Sequence, residues 1–407
     1  MNCRLCDSSN FETLIDLGMS PFANSYLTEE QLEEGETFYP LHAKVCINCF
    51  LVQLPAYVKP ASIFDEYAYF SSYSTSWLQH CKAYCEKVKA KFELHKNSFV
   101  VEVASNDGYL LKNFLESEIP CMGIEPAENV ANNAIMKGIP TEIGFFGASL
   151  ADKIRSTHGA ADLLVSKNVL AHVPDIHDFV EGYKILLKDK GVVTVEFPHL
   201  LELISNNQFD TIYHEHFSYL SLGVVKQLFD AHNLKIFEVE TLNTHGGSLR
   251  VYASHQEFTG FRKTDSVKQV LQKEEEQNLY NQRAYREFQL RILAMRQKLM
   301  SLLTSIKSEG KSIIGYGAAA KGNTLLNYFG IRSDLVSFVA DKSEAKQGKF
   351  LPGSRIPIIS PEQLLENPPD FVFVLAWNLK EEILEELTEI RNEGTKIILA
   401  VPEVRVI

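Results

Sequence analysis

The sequence predicts an α/β protein in which a small metal-binding module precedes two parallel sheets. Three observations support this class. Two CxxC pairs lie within the first 49 residues, a series of apolar segments that end in small or polar turns occupies residues 99–196, and a second series with a glycine turn occupies residues 311–401. Apolar segments that alternate with helical ones are typical of parallel sheets, whose ligands bind at the carboxyl ends of the strands.

The composition is that of an ordinary globular protein and narrows the possible partners. The 407 residues are more than one core usually serves, so two or three domains are expected. A net charge of -12 disfavours nucleic acid, because phosphate binding needs a basic face. The sequence has neither an apolar run of about 18 residues, as a membrane span requires, nor a signal-peptide core at its N-terminus. We therefore expect a cytoplasmic protein that binds a small molecule, as a monomer or weak homo-oligomer.

The seven cysteines are interpreted as metal ligands or free thiols, because disulfides are rare in the cytoplasm. Four of them form two CxxC pairs, Cys3 with Cys6 and Cys46 with Cys49. Each pair lets two thiolates point at one ion, and two pairs complete a tetrahedral set, which favours this interpretation over four unrelated cysteines. A site closed by four sulfurs has no open position for a substrate, so we expect a structural Zn²⁺.

Residues 64–74 are rich in aromatic and hydroxyl side chains and precede a predicted helix at about 75–93. The tyrosines of this segment either pack that helix against the core or place one phenol in an active site. The local sequence favours packing for most of them.

Polar side chains follow the apolar strands of the first parallel sheet. The strand at 99–103 ends in a small polar turn at 104–108, the second strand at 122–125 ends in an acid, and the fourth, at 162–167, is followed by an asparagine. An acid after the second strand can accept hydrogen bonds from both hydroxyls of a ribose. The turn lacks the GxGxxG of a dinucleotide site, so the pattern fits a class I methyltransferase that binds S-adenosylmethionine better than an NAD enzyme. The predicted cofactor-binding residues are Glu102, Ser105, Asn106, Asp107, Gly108, Glu125 and Asn168.

A run of side chains that hold or move protons follows the fifth predicted strand, at 191–196. Tyr213, His214, Glu215 and His216 are consecutive. A histidine titrates near neutrality, and a neighbouring carboxylate can fix its tautomer, so the run is a candidate for acid–base chemistry. By itself, such a run is more typical of a polar loop or a strand edge. His172, just after the fourth strand, is either a structural histidine or a second member of the site.

The next segments extend this sheet and lead to the C-terminal region. The sequence predicts a helix at 219–231 and strands at 234–241 and 249–252. Gly246 and Gly247 indicate that the backbone comes close to a ligand or to another strand. One long helix, at about 266–309, is predicted to bridge two domains. Its charged run at 273–276 is predicted to be a solvated face.

A second strand–turn–helix unit opens the C-terminal region. Residues 311–316 form a predicted strand, and residues 317–324 form a glycine turn and a helix start. Such a turn offers backbone N–H groups and a helix N-terminus to a phosphate, and a basic loop at 342–355 lies at the same predicted edge. The alternative is a Rossmann-like domain whose turn binds nothing. The predicted substrate-binding residues are Tyr316, Lys321, Asn323, Asp341, Lys342 and Asn378.

Taken together, these motifs resemble those of the nucleotide-sugar C-methyltransferases, essentially from end to end. The resemblance depends on the order and spacing of the four cysteines and of the motifs at 101–108, 125–126, 168–172, 213–217, 245–247 and 315–321. It implies a class I methyltransferase Rossmann-like sheet flanked by a small zinc-binding N-terminal domain and a second Rossmann-like C-terminal domain. The implied domains are 1–62 for zinc, 63–258 for S-adenosylmethionine, 259–309 as a helical connector and 310–407 for the nucleotide sugar.

The resemblance also implies a substrate class and roles for single residues. The substrate would be a 4-keto-6-deoxy nucleotide sugar, methylated at C3. In the family the Glu-His pair supplies the general base, which falls on His216 here, with Glu215 as its partner. The resemblance gives no role for His214. The other matches to family active-site residues are Tyr213, His172 and, upstream, Tyr67, with Tyr69 as a near neighbour.

The implied chemistry needs these parts. A C3 proton beside a C4 ketone is acidic, because the carbanion delocalises as an enolate. The enzyme then needs a base, hydrogen-bond donors for the enolate oxygen and a methyl donor in line with C3. Three alternatives stay open at this point: an NAD-binding oxidoreductase, a non-catalytic scaffold, and a sugar O-methyltransferase of the same fold.

Overall fold

The computed structural model describes residues 1–57, residue 72 and residues 75–407. Tyr67 and Tyr69, the candidates for the upstream tyrosine, lie outside the described residues. The strands are β1 (Phe11–Ser20), β2 (Tyr39–Cys46), β3 (Val52–Gln53), β4 (Val100–Val103), β5 (Cys121–Glu125), β6 (Thr141–Ile143), β7 (Ala161–Lys167), β8 (Leu187–Pro198), β9 (Ser218–Tyr219), β10 (Leu234–Leu242), β11 (Ser248–His255), β12 (Ile313–Tyr316), β13 (Val339–Ala340), β14 (Ile358–Ile359), β15 (Phe371–Val374), β16 (Lys396–Leu399) and β17 (Arg405–Val406). The helices are α1 (Thr75–Lys91), α2 (Lys112–Leu115), α3 (Glu128–Met136), α4 (Ala148–His158), α5 (Ile176–Leu186), α6 (Leu200–Ser205), α7 (Leu222–Ala231), α8 (Asp265–Glu276), α9 (Gln282–Ser308), α10 (Ala320–Phe329), α11 (Pro361–Glu366), α12 (Lys380–Glu386) and α13 (Thr388–Asn392).

The N-terminal sheet has the order β1-β2-β3-β9, with all neighbours antiparallel. Its last strand, β9, directly follows the candidate catalytic segment at 213–217. Val52 pairs with Tyr219, and the N–H of Leu54 donates a hydrogen bond to the carbonyl oxygen of Phe217. The N-terminal sheet therefore holds the far end of the catalytic segment by main-chain hydrogen bonds.

The central sheet has the order β10-β11-β8-β7-β4-β5-β6. Strands β8, β7, β4, β5 and β6 are parallel, and β11 and β10 are added in antiparallel orientation. Every residue of β4 and β5 is buried, as expected for strands covered on both faces. The predicted strands are confirmed. Because parallel strands share one direction, the turn at 104–108, Glu125 and Asn168 lie at one edge of this sheet.

The C-terminal sheet has the order β14-β13-β12-β15-β16-β17, with only β17 antiparallel to its neighbour. The glycine turn follows β12, where the strand order reverses, and such a switch point is the usual ligand position of an open α/β sheet. One apolar core continues from the first sheet to the third through α9, since buried Leu14, Phe288 and Ile313 belong to the same cluster.

The single long helix predicted at 266–309 is wrong, because two helices, α8 and α9, occupy this region. Asn278 between them has a left-handed φ of 58°, which a right-handed helix does not continue. The side chain of Asn281 then caps α9 by accepting a hydrogen bond from the N–H of Arg283. None of the helices in the described part of the chain has the length and apolar character that a bilayer crossing needs.

The solvated face predicted at 273–276 is wrong for Glu274, which is 0% exposed. Its carboxylate accepts hydrogen bonds from the N–H groups of Leu222 at 2.6 Å and Gly223 at 3.1 Å, at the start of α7. The first N–H groups of a helix have no partner within the helix and attract an anion. His199 Nε2 lies 2.7 Å from the same carboxylate, so this glutamate joins three elements.

Candidate active site

The four cysteines of the two CxxC pairs meet at one point of the N-terminal module. The sulfur atoms of Cys3 and Cys49 are 3.4 Å apart and those of Cys6 and Cys46 are 3.5 Å apart, with all four within 4.8 Å of one another. The side-chain amide of Gln53 donates to the Cys3 sulfur at 3.2 Å, and such outer contacts stabilise a thiolate ligand. This closed, four-sulfur donor set fits a structural Zn²⁺.

The turn after β4 folds back on itself and reaches the end of β5. Ala104, Asn106 and Gly108 have left-handed φ values of 53°, 49° and 77°. Glycine suits position 108, because side chains rarely adopt a φ of 77° and a Cβ atom here would lie 2.2 Å from the Cδ1 atom of Ile139. The N–H of Asn106 donates to the Glu125 carboxylate at 2.9 Å. The structure thus brings the predicted turn and the predicted ribose-binding acid together.

Several polar atoms at this edge are buried without a hydrogen-bond partner among the described residues: Oγ of Ser105, Oδ1 of Asp107 and Oδ1 of Asn168. Burying an unpaired polar atom costs free energy, so these atoms indicate a ligand with hydrogen-bond donors. The ammonium group and ribose hydroxyls of S-adenosylmethionine are such donors, and the residues fit this cofactor. Glu102 lies deeper, at 1% exposure, where burial raises the pKa of its carboxyl group well above the ordinary value.

Substitution of Glu125 by glutamine is expected to weaken S-adenosylmethionine binding about tenfold or more. Both carboxylate oxygens already accept main-chain N–H groups, from Asn106 and Ala127 at 2.9 Å each. An amide has only one oxygen for these groups and the ribose hydroxyls, and a lost hydrogen bond to a charged group costs about 1.5–3 kcal/mol. Calorimetry with S-adenosylmethionine measures the Kd. The matched control is exposed Glu128→Gln on α3, and an unchanged Kd for Glu125→Gln would exclude a ribose contact.

The run at 213–216 is a tight turn, in which the N–H of His216 donates to the carbonyl oxygen of Tyr213 at 2.9 Å. The first and fourth residues of such a turn lie side by side. The rings of Tyr213 and His216 accordingly have centroids 4.1 Å apart. The two middle residues face the N-terminal module: Glu215 accepts a hydrogen bond from Nδ2 of Asn24 at 2.7 Å, and His214 contacts the same module. The turn therefore divides the run into two pairs with different surroundings.

His214, for which the resemblance gave no role, anchors the N-terminal module. It is 5% exposed, and its ring packs edge-on against Phe22 and Tyr39, with centroids 5.3 and 6.0 Å away. Its Nε2 atom lies 3.3 Å from the carbonyl oxygen of Pro40. These contacts are structural and hold the catalytic turn against the zinc-binding module.

His216 is held as a neutral imidazole. Its Nδ1 atom lies 3.0 Å from the carbonyl oxygen of Thr211, and since a carbonyl only accepts, the proton is on Nδ1 and the lone pair is on Nε2. Desolvation, followed by the neighbouring His172, lowers the pKa of His216 well below its ordinary value. Burial lowers the pKa of His172, whose ring centroid is 4.7 Å away, to about 4. The orienting partner is thus the Thr211 carbonyl, whereas the resemblance implied Glu215, whose carboxylate is bonded to Asn24.

The C-terminal domain meets the catalytic segment through a lysine, a tryptophan and an aspartate. The Nζ atom of Lys321 donates to Oδ1 of Asn378 at 2.6 Å and lies 4.6 Å from the ring centroid of Trp377. The indole N–H of Trp377 donates to Oδ2 of Asp210 at 2.7 Å. Asp210 is 0% exposed and begins the segment that carries His216. Sequence reasoning predicted Lys321 and Asn378, but no pattern pointed to Trp377 or to a role for Asp210.

Two other predicted substrate-binding residues support the glycine turn. Nδ2 of Asn323 donates to the carbonyl oxygen of Ala23 at 2.6 Å, which ties α10 to the N-terminal module. Oδ2 of Asp341 accepts the N–H of Ala318 in the turn itself, at 2.7 Å. The described contacts of both residues are therefore with the protein.

The last two predicted substrate-binding residues, Tyr316 and Lys342, both contact the carboxylate of Glu386. The Tyr316 hydroxyl donates to a carboxylate oxygen of Glu386 at 2.7 Å, and Lys342 forms an ion pair with the same carboxylate. In the basic loop, Lys346 donates to the carbonyl oxygen of Ala318 at 2.9 Å. Tyr316, Lys342 and Lys346, which were expected at a phosphate site, thus have partners within the protein.

His245 belongs to the site, although its motif gave it no role. It has a left-handed φ of 54°, and its Nε2 atom lies 2.8 Å from Nδ2 of Asn168. Burial lowers the pKa of its imidazole to about 4. A Cβ atom at the next residue, Gly246, would lie 2.6 Å from a ring atom of Trp377. The backbone is closely approached here, as predicted, but by the side chain of Trp377 and not by a strand.

Family models match most of the chain in three parts. They are described as "Putative zinc binding domain" for residues 3–64, "Methyltransferase domain" for residues 76–239 and "C-methyltransferase C-terminal domain" for residues 243–402. The chain is also 37% identical over 405 residues to C-methyltransferase NovU from Streptomyces niveus, a match that covers 100% of this chain and 96% of that protein.

Solved methyltransferase structures are similar to part of the chain. Magnesium protoporphyrin IX methyltransferase from Synechocystis, with bound S-adenosylhomocysteine, is 13% identical with a TM-score of 0.36, over 44% of this chain and 83% of that chain. An S-adenosylmethionine-dependent methyltransferase from Clostridium acetobutylicum is 11% identical with a TM-score of 0.37, over 48% of this chain and 97% of that chain. Both cover less than half of this chain, so the full-length relative defines the family.

Proposed function

The chain belongs to the family of S-adenosylmethionine-dependent C-methyltransferases, and we propose that it methylates C3 of a nucleotide-linked 4-keto-6-deoxysugar. The observation that carries this proposal is the state of His216. Its imidazole is neutral, has its lone pair on Nε2 and sits among groups that come from both the cofactor edge of the central sheet and the C-terminal domain.

A base in this position suits methylation at carbon. A ring carbon of a sugar becomes nucleophilic only after it loses a proton, and a neighbouring ketone makes that loss possible by delocalising the charge onto oxygen. A methyl transfer to a hydroxyl group needs no such carbanion. Because desolvation lowers the pKa of His216 well below its ordinary value, its imidazole is unprotonated at neutral pH and its Nε2 lone pair can accept a proton.

Each residue of the site has a separate role in the proposed reaction. When bound, S-adenosylmethionine supplies the methyl group as an electrophile. Nε2 of His216 takes the C3 proton, while the Thr211 carbonyl holds the Nδ1–H and so fixes the tautomer. Tyr213 and His172 lie beside the imidazole and line the position of the sugar. A zinc ion on the four cysteines stabilises the N-terminal module and takes no part in these proton movements.

A panel of nucleotide-linked sugars tests this proposal. We expect a mass gain of one methylene group on 4-keto-6-deoxysugars, with the new methyl group on C3 by NMR, and no product from the matching 4-hydroxy sugars. With S-adenosylhomocysteine and the keto sugar in deuterated water, we expect deuterium to enter C3 without methyl transfer. Methylation of a 4-hydroxy sugar, or the absence of exchange at C3, would contradict the proposal.

A further inference from the structure

We propose that Lys321 is a catalytic residue, whose ammonium group stabilises the negative charge that develops on the C4 oxygen of the substrate, and that Asp210 and Trp377 position it. This inference rests on the proposed function, because only a 4-keto substrate develops that charge. It departs from the expectation that Lys321 binds phosphate. A phosphate ligand would be held at the nucleotide, whereas a group that stabilises the C4 oxygen must be held beside His216. The contacts of α10 support the second position.

The first turn of α10 is fixed against the segment that orients the base. Thr324 lies three residues after Lys321 and so on the same face of the helix. Its hydroxyl donates to the carbonyl oxygen of Ile212 at 3.1 Å, and the preceding residue, Thr211, provides the carbonyl that holds His216. The face of α10 that carries Lys321 is therefore applied directly to the turn that carries the base.

The residues that follow β15 also hold the ammonium group of Lys321 near the segment that carries His216. Nζ of Lys321 donates to Asn378 and lies over the Trp377 ring, whose N–H is in turn bonded to Asp210. Trp377 thus contacts the lysine with its face and the aspartate with its edge. The second carboxylate oxygen of Asp210, Oδ1, is buried without a partner among the described residues. An ammonium group has three donors, so Lys321 keeps donors for a substrate oxygen beyond the one given to Asn378.

The charges around Lys321 suit a cation that acts on an enolate. The titratable groups that interact with it are Asp210, His216 and His245. Desolvation lowers the pKa of Lys321 to about 8, and Asp210 opposes this shift, so the side chain is charged at neutral pH. Desolvation is the main cause that lowers the pKa of His216, and the lysine charge lowers it further, so the base is unprotonated before reaction.

The proton and charge balance of the step is complete with these groups. The C3–H bond breaks, the proton goes to Nε2 of His216, and the electron pair of that bond delocalises to the C4 oxygen. The new oxyanion then faces two cations, the imidazolium and the Lys321 ammonium, and a fixed cation of this kind stabilises charge only as it forms. The enolate electron pair then forms the bond from C3 to the methyl group and the ketone is restored, while the sulfur–methyl bond of S-adenosylmethionine breaks and leaves S-adenosylhomocysteine. His216 releases its proton to solvent. Lys321 transfers no proton.

Kinetics of Lys321→Met test the inference, with exposed Lys298→Met on α9 as the control. We expect kcat for the 4-keto sugar to fall about 100-fold, as for loss of one oxyanion donor. Deuterium exchange at C3 with S-adenosylhomocysteine should slow to the same extent. The KM, and the Kd of the nucleoside diphosphate alone, should change less than about threefold, because the lost contact is made mainly in the transition state. Lys321→Arg should recover part of the rate.

The opposite pattern would overturn the inference: an unchanged kcat and exchange rate with KM and the nucleotide Kd raised tenfold identify Lys321 as a phosphate ligand. If the wild-type enzyme neither methylates nor exchanges any 4-keto sugar, the proposed function fails and the inference falls with it. Thermal melting of each variant separates these results from a loss of fold.

The role of Asp210 is tested by a pH profile, which a purely structural role would leave unchanged. Activity should fall as rising pH removes the Lys321 proton. Because Asp210 raises the pKa of Lys321, Asp210→Asn should move this alkaline limb to lower pH. An alkaline limb that stays in place would show that Asp210 does not act through Lys321.

Discussion

Replacement of His216 by asparagine is expected to lower kcat about 100-fold or more, the range for loss of a general base. Asparagine places an amide N–H where Nδ1–H now donates to the Thr211 carbonyl at 3.0 Å, so the turn is preserved. It has no basic nitrogen in the place of Nε2, so the C3 proton has no acceptor. Binding of S-adenosylmethionine should be unchanged, because its predicted residues lie at the ends of β4, β5 and β7.

Steady-state kinetics and deuterium exchange at C3 measure this loss, with exposed His158→Asn at the end of α4 as the control. Exchange by His216→Asn at the wild-type rate would identify another base. The wild-type pH profile gives a second check. Since desolvation and His172 hold the pKa of His216 well below its usual value, activity should persist at pH values where an ordinary histidine is already protonated. An acid limb at the pKa of a solvated histidine would contradict this assignment.

Much of the fold was predictable because its signals are local. A strand buried on both faces, such as β4, is mostly apolar, with valine at three of its four positions, and a CxxC pair is complete within four residues. Gly246 also carried a readable signal, since only a residue without a side chain allows Trp377 so close. The resemblance then placed His216 in the site, and the structure puts its ring next to those of His172 and Tyr213.

The partners of these residues were not predictable, because they depend on which surfaces meet. Every residue has a carbonyl group, so nothing marks Thr211 as the acceptor for His216. Asp210 and Trp377 are 167 residues apart in the chain and become neighbours only when two domains pack together. The same reason explains Glu274, whose charged neighbours in sequence suggest solvent although α7 supplies its hydrogen bonds.

Substitution of Cys46 by serine is expected to remove the zinc ion and to lower the melting temperature of the whole chain. A thiolate is lost from a closed donor set at a residue that is fully buried at the end of β2. Zinc binding contributes about 10–16 kcal/mol to the folding of small zinc domains. Metal content by mass spectrometry and melting by circular dichroism measure the two effects. Cys121→Ser is the matched control, since Cys121 is a buried thiol outside the metal cluster.

The same substitution should reduce activity, although zinc takes no part in the chemistry. Asn24 of the N-terminal module donates to Glu215 in the catalytic turn, and the Tyr26 hydroxyl donates to the Ala318 carbonyl in the glycine turn at 2.6 Å. Unfolding of the N-terminal module therefore removes hydrogen bonds that hold both the catalytic turn and the glycine turn. A structural metal is replaceable, so apo-enzyme reloaded with Co²⁺ or Cd²⁺ should regain most of its kcat, with a sulfur-to-cobalt charge-transfer band for Co²⁺. A kcat that changes with the identity of a fully bound metal would instead indicate that the ion acts in the reaction.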